Sequence, residues 1–227
     1  MIPWFSIVAL ALFAIGLYWS FFRTPEILSE QKQYYKVIFI HVPAVWMGMW
    51  LYFIMVVWAA IGLIFNTRLS FMMASAIAPT GALFTFLGLL TGAIWGKTSW
   101  GTWWDWDPRM TSFLILLFLY IGYMALQSAI DDTRRSDRAS ALLLIVGLAL
   151  IPVIYWSVNC PDPMQCTALH QRSGLGKIEG NILFAMLTMT LACWLYAFVV
   201  IFMRLRNIIL ERERNTEWVY KLPELNQ

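Results

Sequence analysis

Six long apolar runs, separated by polar segments, make up most of the chain. At a helical rise of about 1.5 Å per residue, about twenty apolar residues cross a hydrocarbon core of about 30 Å. The pattern therefore predicts an all-α polytopic membrane protein, built as a bundle of six transmembrane helices. The predicted spans are residues 2–22, 37–65, 71–94, 110–130, 139–158 and 181–203.

The ends of the chain and one proline refine this prediction. The first run has neither a basic leading segment nor a small-residue cleavage site, so we expect it to be retained as a span. Pro152 should kink or end the fifth span. We expect residues 1–203 to form one membrane domain, and residues 204–227 to form a charged cytoplasmic tail.

Composition narrows the function classes. Hydrophobic residues make up 60% of the 227 residues, and charged residues only 13%, against about 25% in soluble domains. The net charge of +3 is spread over several connections, so nothing indicates a nucleic-acid surface. The sequence has no glycine-rich phosphate loop and no Cys-x-x-Cys-His, which argues against an ATPase or a c-type cytochrome.

Six spans place the first, third and fifth connections on one side of the membrane, and the other connections and both termini on the opposite side. The only two histidines, His41 and His170, border the first and fifth connections and so share a side. The termini side carries nine Lys and Arg residues, against seven on the histidine side. The positive-inside rule thus favours cytoplasmic termini. Cys160 and Cys166 support this orientation, because both lie in the fifth connection, where an oxidising compartment would allow them to form a disulfide.

The third connection contains the most unusual stretch, residues 95–109, here called the tryptophan-rich segment. If it is loosely helical, Trp100, Trp103 and Trp104 share one face and form an aromatic ledge, while Trp106 turns partly away. Such a ledge can anchor a loop among lipid headgroups or hold a large planar ligand. With the five tryptophans of this segment, nine of the 13 in the chain lie toward this side and three toward the other, which favours the ligand.

The residues at the end of this segment can serve the fold, a ligand, or both. Asp107 and Pro108 are the residues preferred at a helix N-cap and first helical position, so the pair predicts the start of the fourth span. Arg109 can pair with Asp105 or Asp107, or can bind an acidic group of a ligand bidentately.

The histidines suggest the ligand. His41 is followed by Val42 and Pro43, which predicts that it lies where the second span begins, with Pro43 in the first turn. One interfacial histidine is usually only a polar residue near water. Two histidines beside an aromatic ledge fit a planar iron macrocycle, because imidazole is the commonest ligand of haem iron.

The sequence also resembles a known family. Residues 100–107, Trp-Gly-Thr-Trp-Trp-Asp-Trp-Asp, are similar to the WWD signature of haem-handling proteins, with Asp105 at a variable position. The flanks, Trp95-Gly96-Lys97 and residues 109–113, resemble the CcmC branch of the cytochrome c maturation pathway. Residues 40–44 and 169–171 resemble its two histidine regions.

The resemblance implies a six-span inner-membrane subunit that binds b-type haem non-covalently at the periplasmic face. His41 and His170 would be the axial ligands and the tryptophan-rich segment the platform, with Arg109 contacting haem or chaperone. The implied partners are a membrane-anchored haem chaperone, an ABC-type permease and ATPase pair, a small single-span protein and membrane lipid. The segment of residues 160–166, which contains both cysteines, departs from the family pattern.

Taken together, the residues and the resemblance predict a haem-trafficking protein without turnover chemistry, in which Arg109, Arg172 or Lys97 faces the propionates. One alternative is a membrane b-type cytochrome subunit that passes electrons to quinone, although such proteins usually have histidine pairs within their spans. Another is a disulfide-handling enzyme that uses Cys160 and Cys166.

Overall fold

The computed structural model describes residues 2–25, 32–157 and 178–219. Within these ranges the regular structure is helical, as the all-α prediction requires, and six stretches are long and apolar enough to cross a membrane. A 3₁₀ turn, Lys32–Val37, precedes the second α-helix. The α-helices are α1 (Ile2–Phe22), α2 (Ile38–Phe65), α3 (Arg68–Trp100), α4 (Pro108–Ala129), α5 (Thr133–Gly147), α6 (Leu150–Trp156) and α7 (Gly180–Arg212).

Helices α2 and α3 are the central pair of the bundle. The short connection at Asn66 and Thr67 makes them antiparallel neighbours, and they pack together along much of their length. The α4–α5 hairpin packs against one side of this pair, and α7 packs against both of its helices. Helix α1 packs mainly on α7, so it lies at the periphery.

Two tyrosines show how polar groups are accommodated in the apolar core. Tyr52 of α2 and Tyr120 of α4 are fully buried, with their rings edge to face at a centroid distance of 5.3 Å. Each hydroxyl donates to a backbone carbonyl, Tyr52 to Leu144 at 3.1 Å and Tyr120 to Gly48 at 2.9 Å. Because both hydroxyls are hydrogen-bonded, the cost of removing them from water is offset, and the two aromatic residues join three helices.

The fifth span is broken where its proline predicts. Helix α5 ends at Gly147 and α6 begins at Leu150. Pro152 has no N–H to donate to the carbonyl of Leu148, four residues earlier, and its ring crowds that carbonyl. The Leu148 carbonyl instead accepts from the N–H of Ile151 at 3.1 Å.

The position of Pro43 and the ends of several helices differ from the sequence prediction. Helix α2 begins at Ile38, so Pro43 lies in the second turn and not in the first. This start is stabilised by Phe39, which packs in a cluster with Tyr35 and with residues of α7. Helix α7 continues to Arg212, so Arg204 and Arg206 belong to a helix rather than opening a tail.

Candidate functional site

A small cavity lies where α2, α3 and α4 meet. Its volume is about 30 Å³, room for about two water molecules. Its walls are mostly apolar, and the polar exceptions are the side chains of His41 and Arg109. The structure thus brings together two of the site residues predicted from sequence. Its lining includes His41 and Val45 of α2, Gly88 and Gly92 of α3, and Arg109 and Phe113 of α4.

His41 is buried, with 9% of its surface exposed, and is held by α3. Its Nδ1 lies 3.0 Å from the carbonyl oxygen of Gly88 and 3.1 Å from Oγ1 of Thr91. The ring of Trp95 meets the imidazole edge to face at a centroid distance of 5.8 Å. The imidazole is therefore fixed by a neighbouring helix rather than exposed to water at the membrane boundary.

Arg109 reaches the same cavity from the first turn of α4, where its side chain is partly buried. Burial removes water from this guanidinium, and the negative charge of the Asp107 carboxylate attracts its positive charge. A partly desolvated guanidinium is well suited to bind a carboxylate, because it offers a planar set of donors. The cavity thus combines a potential metal ligand with a potential anion ligand.

Asp107 has the capping role that the sequence predicts. Its side chain accepts a hydrogen bond from the N–H of Met110 at 2.6 Å, and Pro108 occupies the first helical position. The residue is buried. This contact fixes the start of α4 and therefore the position of Arg109.

Substitution of Asp107 tests its capping role. We expect Asp107→Ala to lower the free energy of unfolding by about 1 kcal/mol, because an N-terminal N–H of α4 loses its acceptor. Asp107→Ser keeps a capping oxygen without the charge and should recover most of this stability. Thermal unfolding in detergent measures the effect. Equal destabilisation by serine and alanine would contradict the capping role.

The aromatic ledge predicted from helical spacing is wrong. Helix α3 ends at Trp100 because Gly101 adopts the left-handed conformation, with φ of 80°, which favours glycine and closes the helix. The hydroxyl of Thr102 then donates to the carbonyl of Trp104 at 2.8 Å and turns the chain. Trp103 and Trp104 consequently lie in a loop and do not share a helical face with Trp100.

The tryptophans instead surround an irregular loop beyond the cavity. Helix α3 rises about 18 Å from Gly88 to Trp100, at about 1.5 Å per residue, so its end projects outward from the cavity. Trp103 and Trp106 are 58% and 75% exposed, while the Trp104 ring is partly buried and meets Trp106 edge to face. Large exposed indoles outside a histidine and arginine cavity offer a surface for a flat ligand.

Lys97 has a local role. Its Nζ donates to the carbonyl oxygen of Gly101 at 3.0 Å, which satisfies a carbonyl just beyond the end of α3. This contact favours a structural role for Lys97 over the predicted contact with a propionate.

Several predicted residues lie outside the part of the chain that the structure describes. These are His170, Arg172 and both cysteines of the fifth connection, Cys160 and Cys166. The pairing of His41 with His170 therefore stays a prediction. Cys193 of α7 is a buried free thiol.

The α3 residues that contact His41 were not predicted from the sequence. Gly88, Thr91 and Gly92 have the i, i+3, i+4 spacing of one helical face, and all three lie against the imidazole or line its cavity. This spacing of small residues beside a tryptophan-rich segment is the signal that could have found them.

The fold and the site define a class: a polytopic helical membrane protein with a histidine and an arginine in one cavity beneath a tryptophan-rich loop. The chain belongs to the CcmC family, because its residues 1–220 match the family model described as heme exporter protein C. This match confirms the resemblance to that family and the assignment to haem transport in cytochrome c biogenesis.

Similar proteins agree with the family. Heme exporter protein C of Escherichia coli (strain K12) is 38% identical over 226 residues, which cover 97% of this chain and 89% of that protein. The Bradyrhizobium diazoefficiens protein of the same name is 38% identical over 212 residues, or 93% of this chain and 80% of its own. The Haemophilus influenzae protein is 34% identical over 228 residues, with 98% and 90% covered.

Proposed function

We propose that this protein binds haem non-covalently at the outer face of the membrane and presents it to a membrane-anchored haem chaperone. The observation that carries the proposal is the convergence of His41 and Arg109 on one cavity. Imidazole is a ligand for haem iron, and guanidinium is a ligand for carboxylates such as the propionates. A single compact site thus offers the two chemistries by which a protein recognises haem.

The size of the cavity limits how haem can bind. A volume of about 30 Å³ holds only about two water molecules, so the cavity cannot enclose a porphyrin. We infer that the macrocycle lies at the outer face of the bundle, against Trp103, Trp106 and neighbouring indoles. An open site of this kind leaves part of the cargo accessible, which suits a protein that passes haem on.

His170 supplies the second axial ligand in this proposal, from the connection between α6 and α7. The odd-numbered connections then face the periplasm, with both termini in the cytoplasm, as expected for an inner-membrane protein whose positive charges favour that orientation. The partners are an ABC-type permease and ATPase pair and a small single-span subunit. The protein holds and transfers its cargo and performs no turnover chemistry.

The test is the optical spectrum of the wild-type protein, purified after expression with a supply of haem. We expect a six-coordinate low-spin haem spectrum and co-purification of a haem-loaded chaperone. A protein without haem under these conditions would contradict the proposal. Rapid haem reduction by a quinol, with sustained turnover, would instead identify the b-type cytochrome subunit considered above.

A further inference from the structure

We infer that Gly88, Thr91 and Gly92 of α3 are positioning residues that hold His41 as the tautomer with hydrogen on Nδ1. The functional consequence rests on the haem-binding function proposed above. In that tautomer the lone pair lies on Nε2, the nitrogen that would bind iron. The three residues therefore select the metal-binding nitrogen before any haem arrives.

The first step of the argument is the contact with Gly88. Its carbonyl oxygen lies 3.0 Å from His41 Nδ1, which is hydrogen-bond distance. A carbonyl oxygen can only accept, so Nδ1 must donate. The opposite tautomer would place a nitrogen lone pair against an oxygen lone pair in a buried site, where such a contact is costly.

Thr91 adds a second acceptor for the same hydrogen. Its hydroxyl donates to the carbonyl of Leu87 at 2.6 Å, an intrahelical bond that uses the only hydroxyl hydrogen. Its oxygen, 3.1 Å from His41 Nδ1, then serves as an acceptor. Both contacts of Nδ1 thus require the same tautomer.

Gly92 makes this geometry possible. A side chain at this position would shield the carbonyl of Gly88, four residues earlier on the same face of α3. A Cβ atom on Gly92 would lie 3.0 Å from Cε1 of His41, closer than ordinary van der Waals contact. The absence of a side chain lets the imidazole approach a helix carbonyl that has a second lone pair to offer.

A histidine that binds a metal through one ring nitrogen commonly donates a hydrogen bond from the N–H of the other. This hydrogen bond fixes the ring orientation and makes the metal-binding nitrogen more basic. We therefore expect Gly88 and Thr91 to strengthen binding of oxidised iron by His41 and to lower the haem midpoint potential.

The first test uses haem-free protein, so that it does not depend on the proposed function. Because the chain has two histidines, His170→Ala leaves His41 as the only one. Ring ¹⁵N chemical shifts are recorded in lipid nanodiscs, well above the ordinary imidazole pKa of about 6.5. We expect a protonated Nδ1 and an unprotonated Nε2. A dominant Nε2-protonated form would overturn the inference.

Variants at Thr91 then isolate its contribution in the same background. Thr91→Val removes the acceptor at nearly constant volume, and we expect it to shift the tautomer ratio toward Nε2–H by about 5-fold, the effect of one ordinary hydrogen bond. Thr91→Ser should restore the ratio. Thr190→Val in α7 is the matched control, since the Thr190 hydroxyl likewise donates to a carbonyl four residues earlier in its own helix, that of Met186, but lies away from His41. Equal ratios in Thr91→Val and Thr190→Val would remove Thr91 from the inference.

A second readout uses haem-loaded protein with His170 intact. We expect a higher midpoint potential in Thr91→Val than in Thr91→Ser, because the weaker distal bond makes His41 a poorer donor to oxidised iron. An unchanged potential would contradict the coupling to iron. Failure of wild-type protein to bind any haem would instead reject the proposed function, while the ring-nitrogen result in haem-free protein would stand.

Discussion

Replacement of His41 by alanine is expected to lower the haem content of the purified protein at least about tenfold. Removing even an outer-shell partner of a metal ligand typically costs 10- to 100-fold in metal affinity, and His41→Ala removes a proposed ligand itself. Haem per protein is measured as the pyridine haemochrome. The residual haem should lose its six-coordinate low-spin spectrum, because one axial position is vacated.

The control for this variant is Phe39→Ala. Phe39 is also a buried ring near the start of α2, with 1% of its surface exposed, but it packs in a separate cluster against α7. We expect Phe39→Ala to lower stability and to leave haem per folded protein unchanged. Added imidazole should restore the low-spin spectrum of His41→Ala by occupying the vacated position. Full retention of haem with an unchanged spectrum in both His41→Ala and His170→Ala would end the axial-ligand proposal.

The spans could be predicted because the membrane imposes a simple rule. A helix that crosses hydrocarbon needs about twenty apolar residues, and this requirement is visible as composition. The rule does not specify where a helix ends beyond the hydrocarbon. Helix α3 continues through Lys97 to Trp100, and α7 continues to Arg212, because helical geometry tolerates polar residues once water is near.

The candidate site was predictable only in part, because some of its features depend on adjacent residues and others on contacts between distant parts of the chain. Asp107 and Pro108 form a cap that depends on adjacent residues, so sequence reasoning found it. The prediction that Trp100, Trp103 and Trp104 share a helical face failed because Gly101 ends α3 in the left-handed conformation. Glycine is common just beyond a helix end, so Gly101 was a local signal for this boundary. The contact between His41 and Gly88 joins residues 47 positions apart. The spacing of small residues marks one face of α3, but it does not specify that His41 is the residue that packs there.

At the opposite end of the bundle, removal of the Asp137 carboxylate is expected to have the largest effect on stability. Arg212 of α7 binds Asp137 of α5 through two hydrogen bonds, of 2.8 and 2.9 Å, and Gln127 of α4 contacts both. The Asp137 side chain is only 6% exposed and that of Arg212 20%. Asp137→Leu would leave a partly buried guanidinium without its carboxylate. We expect the free energy of unfolding to fall by about 3 kcal/mol, as measured by reversible denaturation in mixed micelles.

A double variant tests whether the cost comes from the stranded charge. Asp137→Leu combined with Arg212→Met replaces both charges by apolar groups of similar size, and we expect it to recover most of the lost stability. If the double variant were as unstable as Asp137→Leu, the effect would come from packing rather than from charge. The pair lies at the end of the bundle away from His41, so haem per folded protein should stay constant in both variants. In these variants stability changes and haem content does not. In His41→Ala the opposite is expected, because haem is lost with its ligand and not through a less stable bundle.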